Sequence, residues 1–162
     1  MFSWRVTKYN PELRNEDGSY INQDEWISIS DVGTTVSEEE YLKVESNYLD
    51  AIDAFMHEMG VKEVSIEALE QNFLEEQEPV VQSFLNNFQV GSKLSTWAMR
   101  ELSKWTLREV VWCKLSVPNQ CFIHFGYDYY LYIGAKKDCS NARKKVEGLG
   151  LYVEEFRSPH LE

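Results

Sequence analysis

Cysteine, proline and glycine are all scarce in this 162-residue sequence, at three, four and eight. Cys113, Cys121 and Cys139 are odd in number and lack C-x-x-C spacing, so neither a full disulfide framework nor a zinc clip is indicated. Free, partly buried thiols of a reducing cytoplasm are the expectation. A metal site joining Cys113, Cys121 and His124 across a hairpin would want a fourth ligand, so neither metal nor cofactor is expected. No apolar run approaches the roughly 20 residues that span a bilayer. The opening MFSWRVTKYN has no basic stretch followed by an apolar one, so no signal peptide is expected. Low-complexity linkers and internal repeats are missing too, which predicts one domain over 1–162. There is no phosphate-binding loop, G-x-G-x-x-G, H-E-x-x-H or G-x-S-x-G.

Positive charge is the last thing in short supply. Sixteen Lys and Arg face 27 Asp and Glu, a net charge of −11. That argues against nucleic acid and anionic membranes as partners, since basic patches supply most of that attraction. Small ligands and basic proteins stay open. Residues 36–78 hold only Lys43 and Lys62 against thirteen acids, while 79–162 are slightly basic. One central segment thus carries a charge equal to that of the whole chain. Such a segment is either a well-solvated helical face or an acidic surface that attracts and blocks a basic partner.

What the chain does contain is ordinary for a globular protein, with 43% apolar and 14% aromatic residues. FSWRVTKY (2–9) alternates apolar and polar residues, as a half-buried strand does. EWISISDV (25–32) alternates again and predicts a second strand, antiparallel to the first across a long hairpin that turns near Asp17-Gly18. Ser37 with Glu40 forms a capping box, and Tyr41, Val44, Tyr48, Ile52, Phe55 and Met59 form one stripe. This predicts a helix over about 38–59 closed by Gly60, with Glu39, Lys43, Ser46, Asp50, Asp53 and His57 on the face towards solvent. Val61–Ile66 predicts a short strand or entry turn, with Ser65 capping a helix over 66–76. Glu78-Pro79 breaks that helix, and Val80–Leu85 can begin another. A helix from Leu94 or Ser95 to about Arg108 precedes β-rich runs at 109–116, 121–125 and 129–133, a short helix over 138–148 and a strand over 151–156. Strands at both chain ends around a helical middle predict an α+β domain with a mainly antiparallel sheet.

Two features invite a chemical reading. His124, with Asp128 or Tyr127, could make an acid–base pair. A histidine hydrogen-bonded within the sheet is the simpler account, and an exposed helix cannot separate carboxylate pKa values as catalysis requires. The run FIHFGYDYYLY (122–132) is dense in aromatics. It reads as a tyrosine-rich sheet with cross-strand pairs, or as a binding face with Tyr127 and Asp128 exposed at a turn.

Several stretches together resemble a known family: WRVTKYNPELRNEDGSY, DEWISISDVG, EEEYLKVESNYLDAI, LREVVWCKL, and FIHFGYDYYLYIG with GLYVEEFRSPHL. They look like the small immunity proteins encoded beside LXG-type polymorphic toxins of Gram-positive bacteria. The likeness spans most of the chain and is weakest across 61–93. It implies a cytoplasmic, non-catalytic antitoxin that binds the C-terminal toxic domain of its cognate partner, often a nuclease, and blocks it. An acidic protein suits the basic cleft of a nuclease. From the helical phase and the exposed turn, the expected partner-binding residues are Glu39, Asp50 and Asp53, with Tyr127, Asp128 and Tyr129 as a second patch. The alternatives are a small hydrolytic or acid–base enzyme using His124 with a nearby carboxylate, and an adaptor module that meets no toxin.

Overall fold

The computed structural model describes residues 1–16 and 25–162. The Asp17-Gly18 turn lies outside the described residues. The fold is α+β: four α-helices and a seven-stranded antiparallel sheet. In chain order the elements are β1 (Phe2–Thr7), α1 (Glu38–Met59), β2 (Glu63–Gln71), α2 (Pro79–Leu85), β3 (Lys93–Ser95), α3 (Thr96–Leu107), β4 (Val111–Val117), β5 (Cys121–Phe125), β6 (Leu131–Ala135), α4 (Ser140–Gly148) and β7 (Tyr152–Glu155). The strand order is β3-β2-β4-β5-β6-β1-β7. No helix among the described residues is long and apolar enough to cross a membrane.

Helix α1 forms where its cap and stripe predict. Ser37 accepts the Glu40 amide at 3.1 Å, and Gly60 closes the other end in the left-handed conformation. Its stripe buries Tyr41, Tyr48, Ile52 and Phe55 on one face of the sheet, where Trp4, Ile66, Leu115, Ile123, Leu131 and Ile133 meet it. Helices α3 and α4 flank α1. The alternation of each strand sends the remaining side chains to the opposite face. There Arg5, Trp112, Lys114, Phe122, His124 and Tyr132 lie beneath the C-terminal segment after β7, whose Phe156, Ser158 and His160 pack on them. Gly134 is needed in this layer, because a Cβ there would sit 2.0 Å from the Phe122 ring.

Two sequence expectations fail for tertiary reasons. Residues 25–32 form no strand. Both edges of β1 are taken, by β6 and β7, so no ladder is open to them. Instead Ser28 and Asp31 make a capping box around a 3-10 turn at Ile29–Asp31, and Trp26 buries its ring against Tyr41 and Tyr129. Nor do residues 66–76 form a helix; Glu63–Gln71 is β2, paired with β3 on one side and β4 on the other, with a register shift between Ile66 and Ala68. Good helix formers (Glu67, Ala68, Leu69, Glu70) are overridden by two neighbouring ladders. The helical middle therefore also contributes strands to the sheet.

Candidate functional site

The expected partner-binding residues divide once placed in the fold. Glu39 is exposed in the first turn of α1. Asp50 and Asp53 are not the open acidic face that the helical phase predicts. Both are half-buried and share Arg100 of α3, whose guanidinium lies 2.9 Å from Asp50. Helical phase locates a solvent side but says nothing about a neighbouring helix that supplies a cation there.

The second patch lies in the turn between β5 and β6. Gly126 N–H donates to the Tyr130 carbonyl at 2.7 Å, and Asp128 and Tyr129 both adopt positive φ, 59° and 65°. The turn displays Tyr127, 86% exposed, and Asp128. Tyr129 departs from the expectation, because its ring is buried among Trp26, Tyr41 and Tyr48. It anchors the turn and presents nothing to a partner. Further hydroxyls hold the same turn: Tyr48 donates to the Tyr129 carbonyl at 2.8 Å and Tyr9 to the Asp128 carbonyl at 2.6 Å. Tyr129 and Tyr41 share a short hydroxyl–hydroxyl bond, and Tyr41 donates to Glu45 at 2.8 Å. Glu45, buried on α1, receives Arg108 in a two-pronged pair at 2.7 and 2.8 Å. Burial raises both Tyr41 and Tyr129 well above the usual phenol range, so they stay neutral donors.

Beside this turn lies a cavity of about 590 Å³, within the range of ligand sites. Its walls come from the end of β2, the α3–β4 junction and the β5–β6 turn. Helix α3 ends in a Schellman motif: Val110 N–H donates to the Trp105 carbonyl and Glu109 N–H to that of Thr106, both at 3.0 Å. The left-handed residue is Glu109, φ 65°, where glycine is usual. Its side chain stays exposed on the wall, joined by Glu70 and Asp128. Phe73, 51% exposed, and Trp112 add rings, and Tyr127 completes the rim. Backbone bonds from Asn72 and Phe73 to the Val110 carbonyl tie the β2 end to the α3 end. Partial burial, then the charges of Asp128 and Asp31, raise the Glu109 carboxyl. Among the described residues no cation pairs with Glu70, Glu109 or Asp128. A second hollow of about 500 Å³ shares Phe73 and Glu109 and leads to Trp105 and Arg108.

His124 makes a different arrangement from the acid–base pair with Asp128 or Tyr127. Its Nδ1 lies 2.8 Å from the Ser158 hydroxyl, and its ring stacks on Phe122 at 4.3 Å. The ring is 1% exposed and Ser158 is 2% exposed. Burial, with the charges of Lys114 and His160, pushes His124 down to about 3, which leaves a weak base without access to a substrate. All three cysteines are buried, and burial raises the Cys113 thiol to about 12. Among the described residues no cluster of three His, Cys, Asp or Glu side chains has metal-binding geometry.

Sequence reasoning missed Glu45, Glu70, Phe73, Glu109 and Trp112. For Glu45 a signal exists: it lies four residues after Tyr41 and three before Tyr48, hence on the buried stripe. Glu109 could be found from a helix that stops without glycine or proline. Nothing local marks Glu70 or Phe73, within and just after a strand that is itself a tertiary outcome. Comparison of the chain with protein-family models, curated proteins and solved structures returned no match.

Proposed function

We propose that the protein is an immunity-type inhibitor that neutralises the toxic domain of a cognate polymorphic toxin, a basic domain such as a nuclease, by stoichiometric binding in the cytoplasm. The observation that carries this reading is the cleft end of the molecule, where Glu70, Glu109 and Asp128 have no cation partner among the described residues and lie beside the exposed rings of Tyr127 and Phe73. Unpaired carboxylates steer a basic partner and set its orientation, and aromatic rings on a held backbone supply contact area at low entropic cost. Tyr41 contacts Tyr129, so the first turn of α1 with Glu38, Glu39 and Glu40 stands at this same end and extends the negative field. Asp50 and Asp53, already held by Arg100, contribute little.

Co-expression with the toxic domain encoded by the adjacent gene tests the reading. Growth should be restored and a complex recovered at low salt, weakening as salt rises. Unimpaired toxicity with no complex at low salt would overturn it.

A further inference from the structure

Resting on that reading, we infer that the cavity between the end of β2, the α3–β4 junction and the β5–β6 turn receives an arginine side chain of the basic partner. Its size, its rings and its charge point to one kind of guest. A volume of about 590 Å³ holds a side chain and the backbone that carries it, while leaving no room for a folded element. The lining includes three aromatic residues, Phe73, Trp112 and Tyr127, and three acidic ones, Glu70, Glu109 and Asp128. A group that is planar, cationic and able to bond two oxygens at once satisfies both; guanidinium is such a group, and it is more weakly hydrated than ammonium. Stacking on aromatic faces adds to this for arginine more than for lysine.

The electrostatic state of the walls agrees. Some acids elsewhere are paired, Glu45 with Arg108, Asp50 and Asp53 with Arg100, and Glu154 with Arg5 and Arg14, whereas among the described residues no cation pairs with the three cavity acids. In the cavity, partial burial and then the charges of Asp128 and Asp31 raise the Glu109 carboxyl. A bound guanidinium would offset the like charges of Glu109 and Asp128. The positions are also prepared in advance. Glu109 and Asp128 project from left-handed residues whose backbone is held by the α3 terminus and by Tyr9, so little ordering remains to be done when the guest arrives.

The test uses the intact chain and two short labelled peptides of equal charge, alternating glycine with arginine or with lysine, at low salt. The arginine peptide should bind about tenfold more tightly than the lysine peptide. Glu109→Gln with Asp128→Asn should weaken the arginine peptide about tenfold, with the thermal midpoint and near-ultraviolet circular dichroism showing an intact fold. Asp50→Asn with Asp53→Asn should change it by less than about twofold, since Arg100 already occupies those carboxylates. Equal binding of both peptides, equal loss in both double variants, or no binding at all would overturn the proposal. The same variants are then offered to the toxic domain. If the wild-type chain holds the arginine peptide but not the toxin, the immunity reading fails alone. If the toxin is held equally by wild type and by the Glu109→Gln, Asp128→Asn variant, the arginine cavity fails alone.

Discussion

Helices α1 and α3 close with the same pair of hydrogen bonds and differ in the residue that turns left-handed. In α1, Gly60 N–H donates to the His57 carbonyl and Val61 N–H to that of Met56, with Gly60 at φ 67°. In α3 the corresponding bonds surround Glu109 at φ 65°. Glycine adopts this conformation freely, whereas a residue with a Cβ pays about 1 kcal/mol for it. The α1 end has no neighbour for a side chain to meet, as a Cβ on Gly60 would touch nothing within 4 Å. Both ends border a hollow, Gly60 one of about 440 Å³ beside Trp97 and Arg100, and Glu109 the cavity of about 590 Å³. The same contrast runs through the acids of the two regions: Glu45, Asp50 and Asp53 of α1 are answered by arginines of α3, while Glu70, Glu109 and Asp128 of the cavity are not. Two of the open cavity acids, Glu109 and Asp128, stand on left-handed residues, whereas the paired Glu45, Asp50 and Asp53 stand on a regular helix. Strain kept in this way marks a candidate site for function.

The contrast can be broken most forcefully at its paired side. Arg108→Met leaves the Glu45 carboxylate buried, 5% exposed, with only Tyr41 to hold it. We expect a loss of about 3–5 kcal/mol in urea denaturation, most of it recovered in the double variant Glu45→Gln, Arg108→Met. A loss under about 1 kcal/mol would show that the pair is dispensable to the fold.

His124 is the buried group with no charged answer, and pH tests it. Its folded pKa, about 3, lies below the ordinary histidine value, so the unfolded chain takes up the proton first. The stabilising contribution is therefore complete above about pH 6.5 and is lost as pH falls towards 3, with a slope of up to about 1.4 kcal/mol per pH unit. His124→Gln should be less stable at neutral pH and show a flatter acid limb. An unchanged acid limb would mean that other groups govern it, with Glu154 the next to examine. Burial alone would raise that carboxyl, but hydrogen bonds from Arg14 and Arg5 bring it below the usual range, so its contribution is lost as pH falls below the ordinary carboxyl value.

Exchanging the two helix-end residues sharpens the comparison directly. Gly60→Glu should cost about 1 kcal/mol, and Glu109→Gly should gain about 0.5–1 kcal/mol while removing an acid from the cavity. If Glu109→Gly is neutral or destabilising, the side chain makes a contribution to the fold that offsets its strain. The smallest effect belongs to Arg100→Ala, which frees Asp50 and Asp53. Stability should change by less than about 1 kcal/mol, because all three groups are substantially exposed. The on-rate of a basic partner at low salt should rise modestly as α1 comes to resemble the cavity wall.

Much of the fold is legible from local patterns. The Ser37 cap, the Tyr41–Met59 stripe and Gly60 delimit α1 to the residue, and the runs of 121–125 and 129–133 locate β5 to the residue and β6 two residues too early, because these signals act over one turn or one pleat. EWISISDV and Ser65–Glu76 are misread for the opposite reason, since ladder availability decides them and that depends on strands far away in the chain. Of the candidate site, Tyr127 and Asp128 were visible as an exposed turn, but Tyr129 was not distinguishable from them. Alternation ceases at the turn, and its left-handed backbone sends the third ring inwards.

By itself the sequence determined the α+β class, the main helix, the strands of the C-terminal half and the concentration of negative charge in 36–78, all of which follow from periodicity, capping and counting. Only the tertiary structure decided which of those charges remain open. An acid's availability depends on the nearest cation in space, and Arg100 and Arg108 reach α1 from α3 and its C-terminal cap, 47 to 63 residues further along the chain.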